Sequence, residues 1–245
     1  MAAKVSLDRA LSKLGHASRS VAARMIAAGE VCVNGEVARS SARLVDLGSD
    51  TITIAGQSAK AAVPVHWALN KPRGILTTRS DERGRRTVYD LLPPDLGWVA
   101  PVGRLDMASA GLLLLTNDNA WADRLCDPAS AVLKRYRVKL RGVVDNAALQ
   151  RMRAGVQDAE LGLLRVARVE LERATPKGAW LHIWLDEGRN RQIRRICEIL
   201  ALEVQELVRT AIGPLELGDL SIGAARALTA AEVSALARAA RPQRG

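Results

Sequence analysis

The chain has 245 residues, 48% of them hydrophobic, 25% charged and 3% aromatic, with no Phe, so a core would rest on Leu, Val, Ile and Ala. Lys and Arg number 36 against 26 Asp and Glu, a formal charge of +10; this favours a polyanionic partner, since each cation seated on a phosphate releases a counterion. The three cysteines are scattered without a Cys-x-x-Cys pair, which argues against a disulfide framework or zinc site, and there is neither a signal-peptide core nor an apolar run of the ~20 residues that a membrane-spanning helix needs, so a cytoplasmic chain is expected.

Residues 5 to about 55 read as a small separate unit. Leu7, Ala10, Leu11 and Leu14 recur at helical spacing up to Gly15. Ser18 is an N-cap for a second helix that runs to Ala28 and closes at Gly29. Two short strands then flank Asn34-Gly35, a tight-turn pair, and Val45 and Thr51 to Ile54 supply further strand. Residues 57–63 are small, polar and unpatterned, a linker.

A strand opens at Val65 to Asn70, bends at Lys71-Pro72 with Gly74, and resumes over Ile75 to Thr78. Arg79 to Arg86 is a polar loop that favours contact with RNA, and Thr87 to Leu92 a short helix ended by Pro93-Pro94. Leu112 to Leu115, bounded by Gly111 and Thr116, has the length of a buried strand, although so short a run also suits a helix. A helix over 119–126 packs Trp121 and Leu125 inward, with Asp118 as its cap, and Pro128 stops it.

Arg135 to Leu140 alternates with Tyr136, Val138 and Leu140 on one face, as a half-buried strand does. A capped helix over 145–154 precedes two strands, Leu164 to Leu171 and Ala179 to Leu185, joined by a turn through Thr175 to Gly178. Asn190 is read as the cap of a helix whose Ile193, Ile196, Cys197 and Leu200 face the core, and Glu203 to Ile212 as the last core strand. Residues 213–229 are turn-rich, 230–240 form an Ala-rich helix, and 241–245 are a disordered basic tail.

The chemistry concentrates between Gly103 and Asp118, where Arg104 sets a guanidinium beside the carboxylate of Asp106. A nearby cation keeps a carboxylate ionised, and an ionised carboxylate can act as a nucleophile, although a bare Arg-x-Asp is usually a weak surface pair. The longer run Gly-Arg-Leu-Asp…Gly-Leu-Leu-Leu-Leu-Thr-Asn-Asp resembles the catalytic motif of bacterial rRNA pseudouridine synthases. Asn70-Lys71-Pro72-Arg73-Gly74, Lys134-Arg135-Tyr136 and the run from Glu187 to Arg195 resemble the same family, and residues 5–55 resemble the ribosomal-protein-S4-like RNA-binding domain.

This resemblance implies an α+β fold: a small S4-like domain with its linker over 1–60, and over 61–245 a catalytic domain on a large mixed, mainly antiparallel sheet flanked by helices. It implies that Asp106 starts the break between ribose carbon 1 and uracil nitrogen 1, either by attacking the sugar or by taking its 2′ proton. Tyr136 would lie against the uracil, Arg194 would orient Asp106 through a bidentate contact, and Arg104 and Leu207 would support the site, Leu207 beneath the flipped base. Arg9, Lys13, Ser18, Arg19, Arg24 and Asn34 would face RNA, joined by Lys71, Arg73, Arg189, Arg191 and Arg195. No metal or cofactor is needed for an isomerisation, and the expected partner of this monomer is ribosomal RNA, large-subunit before small-subunit. From other classes, a non-catalytic ribosome-assembly factor would leave the spacing of Asp106, Tyr136 and Arg194 unexplained. A glycoside hydrolase would need Asp106 and Asp118 as a carboxylate pair, and the intervening buried strand makes that pair poor.

Overall fold

Short amphipathic segments punctuated by glycine build the N-terminal part. The structure, a computed structural model, describes residues 4–241, so the expected tail beyond Arg241 lies outside it. Contacts gather into two units, one made of the chain up to His66 with 93–101 and 115–122, the other of the remainder.

In the first unit β1 (Val5–Ser6) leads into α1 (Leu7–Lys13) and α2 (Arg19–Ala28). The Ser18 hydroxyl accepts from the Val21 amide to start α2, and Gly29, at φ +81, ends it. β2 (Val31–Val33) and β3 (Glu36–Val37) flank Asn34 and Gly35, both at positive φ, as a two-residue hairpin turn requires. β4 (Leu44–Val45) pairs with β1, while β5 (Ile52–Ile54) and β6 (Gln57–Ser58) complete a sheet ordered β3-β2-β5-β6. Leu7, Leu11, Ile26, Val31 and Ile52 are among its buried core. Gln57 and Ser58 are therefore strand and not linker. The turn before them uses Ala55 at positive φ, a conformation that alanine seldom adopts and that its identity does not announce.

Next along the chain come β7 (His66–Lys71), β8 (Ala100–Val102), β9 (Ala110–Thr116), α3 (Asn119–Cys126), β10 (Lys134–Arg141) and α4 (Asn146–Ala154). They are followed by β11 (Val156–Asp158), β12 (Gly162–Leu164), β13 (Arg168–Thr175), β14 (Gly178–Leu185) and α5 (Gln192–Ile199). β15 (Glu203–Ile212), β16 (Leu215–Glu216), β17 (Ala225–Ala227) and α6 (Ala230–Ala239) complete the order. The large mixed sheet runs β13-β14-β10-β15-β9-β7-β17, with β16 on β15 and β8 on β9. β13, β14, β10 and β15 are antiparallel to one another in turn, whereas β15 meets β9 in parallel.

Alternation places Val138 and Leu140 with Leu181, Ile183 and Leu185 on one face, which α4 and α5 cover with Met152, Ile193 and Ile196. The other face carries Trp180 and Trp184, over which Arg137 and Arg168 stack at 3.9 and 4.7 Å from the ring centroids. The run Leu112–Leu115 is a buried strand, as its length suggested.

Four expectations change. Ile75 to Thr78 forms only a single bridge, Leu76 to Thr87, because the Thr77 side chain holds another loop. Residues 88–91 are a 3₁₀ turn started by a Thr87–Asp90 capping box. Leu164 belongs to the β11–β12 hairpin, since the Val166 amide turns back to the Met152 carbonyl, so β13 begins only at Arg168. The turn-rich stretch 213–229 also holds two short strands, β16 on β15 and β17 on the far edge beside β7. No helix among the described residues is long and apolar enough to cross a membrane.

Candidate active site

The loop Gly103–Ser109 is fixed from below through its own carbonyls. Gly103 sits at φ +69, and the Ser109 amide closes a turn on the Asp106 carbonyl at 3.0 Å. The Thr77 hydroxyl donates to the Leu105 carbonyl at 2.8 Å and the Gly74 amide to that of Met107 at 2.7 Å. Lys71 is fully buried, and its ammonium donates to the carbonyls of Asp106 (3.1 Å), Ser109 (2.9 Å) and Pro72 (3.1 Å). Burial pushes Lys71 down to about 8; the Asp106 charge opposes this and Arg209 adds to it. Lys71, expected on RNA, is thus a structural clamp, because its stem runs inward from β7 and leaves no ammonium for a phosphate.

With the backbone held, the Asp106 carboxylate is left partly open, its side chain 36% exposed. Arg194 approaches from α5 with Nε 4.0 Å from Asp106 Oδ2. The expected bidentate contact is absent, since Arg194 Nη2 donates to the Ala108 carbonyl at 3.1 Å and Nε is buried without a hydrogen-bond partner. Burial lowers the pKa of Arg194 and Arg191 lowers it further, while Asp106 raises it. Arg104 is exposed, and the cation within ion-pair distance of Asp106 is Arg194 and not this near neighbour in sequence.

Asp106 opens on a cavity of about 660 Å³, whose wall includes Arg104, Tyr136, Arg189, Arg191 and Arg209. That volume suits a nucleoside-sized ligand. Tyr136 extends from β10 on the face of Val138 and Leu140 and is half-buried against their core. Leu207, opposite Val138 on β15, is buried in the same core and is not among the lining residues, because its strand turns it inward. Asp118 caps α3 by accepting from the Trp121 amide and does not line the cavity.

The arginine run is divided. Arg191 is exposed on the wall, whereas Arg189 lines it while bonded to Glu187 and to the Leu161 and Leu163 carbonyls. Arg195 is held by Asp158 and Glu160 and is not in the wall. Asn190 does not cap α5. Arg191 takes the N-cap place at φ +51, and the Gln192 side chain accepts from the Arg189 amide instead. Arg73 is exposed, with one bond to the Gln205 carbonyl.

In the first unit Arg9, Lys13 and Arg24 are exposed on the two helices, and Arg19 donates to Asp8 at 2.8 Å. Ser18 and Asn34 hold the fold itself: Ser18 caps α2, and Asn34 donates to Asp50 and accepts from the Thr51 amide, both at 2.9 Å.

Two cations of the wall were given no role from the sequence, Lys134 and Arg209. A signal existed for Arg209: it falls between Leu207 and Ala211 in the buried register of β15, where a cation is costly without a reason.

A family model described as RNA pseudouridylate synthase matches residues 65–198, and one described as S4 domain matches residues 5–52. The chain is 35% identical over 232 residues to the ribosomal large subunit pseudouridine synthase B of Bacillus subtilis, covering 94% of each chain. It is 37% identical to an uncharacterized RNA pseudouridine synthase of Aquifex aeolicus, covering 96% of this chain and 95% of that one. A solved crystal structure of pseudouridylate synthase aligns at TM-score 0.68 and 27% identity, over 95% of this chain and 99% of that one.

Proposed function

From the premise that this chain belongs to the RNA pseudouridylate synthase family, we propose that it converts a specific uridine of large-subunit ribosomal RNA to pseudouridine, with Asp106 as the catalytic residue. The observation that carries this reading is the placement of one partly open carboxylate, backed by Arg194 at 4.0 Å, on a cavity it shares with Tyr136. The substrate class follows the large-subunit synthase named among the relatives.

A uridine stacked in folded RNA hides its glycosidic bond, so the nucleotide is first flipped into the cavity at a cost of a few kcal/mol. Residues 1–60 contribute RNA affinity through exposed cations such as Arg9, Lys13 and Arg24, and residues 61–245 carry the reaction. The carboxylate of Asp106 initiates cleavage between ribose carbon 1 and uracil nitrogen 1. The uracil stays against Tyr136, turns, and bonds again through carbon 5; carbon 5 gives up its proton and nitrogen 1 gains one, so atoms balance without a second substrate. Arg194 holds Asp106 toward the sugar, and Lys71 keeps the loop from yielding.

The test is rRNA transcript incubated with wild type and Asp106→Asn, followed by carbodiimide–primer extension for pseudouridine. Product is expected with wild type alone, while RNA affinity changes by less than about tenfold, as loss of a purely chemical group requires. Product from the Asn variant ends this reading, and so does a wild type that binds rRNA and never modifies it.

A further inference from the structure

Among the residues around the cavity, two cations are built in at considerable cost. Arg209 is 5% exposed; its Nε donates to the Leu112 carbonyl at 2.7 Å, and its Nη2 is buried with no hydrogen-bond partner. It stands directly opposite Tyr136 in the β10–β15 register, and Lys134 precedes Tyr136 by two residues on the same face of β10. All three line the cavity with Asp106. Burial holds the Lys134 ammonium below its ordinary pKa and Arg209 lowers it further, while Cys126 and Asp186 pull the other way. Among the described residues, no carboxylate lies within ion-pair distance of either cation.

A buried guanidinium with a free Nη2 beside a half-buried ammonium lacks an anion. A target uridine in RNA is flanked by a phosphate on each side, and either could bring an anion into the cavity together with the base that lies against Tyr136. We propose that Lys134 and Arg209 form the seat for a phosphate of the flipped nucleotide, and so set its depth and direction against Asp106. The pair then acts in positioning and takes no part in bond making. This rests on the reading of the cavity as the place where Asp106 meets the nucleoside.

The probes are 5′-UMP, 3′-UMP and uridine, titrated against the full chain at low salt, with inhibition of pseudouridine formation as a parallel readout. At least one monophosphate is expected to bind about tenfold more tightly than uridine, as a charge-assisted contact gives, and the two isomers separate a 5′ from a 3′ phosphate. Lys134→Met is expected to reduce that advantage to less than twofold and leave uridine binding unchanged. Arg209→Lys, which keeps the charge if the fold tolerates the change, is expected to weaken it partially. A wild type that binds neither monophosphate better than uridine overturns the seat, as does an advantage that survives Lys134→Met. If that same wild type forms pseudouridine while Asp106→Asn does not, the catalytic reading stands and only the seat is lost. If the phosphate preference holds but Asp106→Asn still forms product, the catalytic reading is lost and the positioning against Asp106 with it, and only phosphate binding at Lys134 and Arg209 stands.

Discussion

Lys71 shows how a single residue organises the site without touching substrate. Its ammonium ties Pro72, next to it in sequence, to Asp106 and Ser109, which come from the far end of the loop. Lys71→Met keeps most of the stem and removes every donor. Each buried carbonyl left unpaired costs about 1–3 kcal/mol, partly offset by removing a desolvated charge, so a net loss of about 2 kcal/mol is expected in urea titrations. The pH dependence gives a sharper check. The folded value of about 8 lies below the unfolded value, near 10.4 for a free lysine, so between them the unfolded chain holds more protons and this residue's contribution to stability rises with pH. The Met variant lacks that rise, and its deficit relative to wild type is expected to widen from pH 8 to 10. A constant or shrinking deficit contradicts the buried-ammonium account.

Elements are held at points of very close approach. In β9, Gly111 lies at φ +104, and a Cβ there would sit 2.3 Å from the Arg209 carbonyl oxygen and 2.6 Å from its nitrogen. Both are backbone atoms of the parallel partner strand and cannot rotate away. Gly111→Ala is expected to cost more than about 4 kcal/mol and to collapse the soluble yield. Gly35→Ala meets open space and only the positive-φ penalty, about 1–2 kcal/mol by urea titration. At the other end, α6 begins with a capping box from Thr229 to Glu232, and Glu232 also pairs with Arg226 at 2.6 Å. Arg226 beside it holds the Glu232 carboxyl down at about 2. A carboxyl lowered by folding stabilises fully above its unfolded value, near 4.3, and loses that contribution as pH falls toward 2. Glu232→Gln is therefore expected to cost about 1 kcal/mol at pH 7 and almost nothing by pH 2, read from thermal melts across that range.

For the whole molecule, the +10 charge predicts a strongly salt-dependent encounter with RNA, and exposure decides which cations contribute. Lys71 is buried and Arg195 is neutralised by Asp158 and Glu160, whereas Arg9, Lys13 and Arg24 stand free on the helices. Replacing these three by Ala is expected to flatten the slope of log affinity against log salt by about 2. The turnover rate at saturating RNA should not change. An unaltered slope removes the N-terminal helices from the RNA interface. A lowered turnover with an unaltered slope assigns them to the fold instead.

The α+β class came through the family resemblance, whereas spacing by itself determined the two N-terminal helices with their Ser18 and Gly29 caps and gave the leucine run behind Asp106 the length of a strand. These depend on spacing and on the backbone freedom of single residues, which are local properties. Motif resemblance likewise singled out Asp106, Tyr136 and Arg194, whose side chains the fold gathers around one cavity and its backing. Only the tertiary structure decided how Arg194 approaches Asp106, that Lys71 is a clamp, that Leu207 is plain core, and that Lys134 and Arg209 share the wall with Tyr136. Those facts follow from strand register and burial, which join residues distant along the chain, and residue identity alone does not say where a long cationic side chain ends.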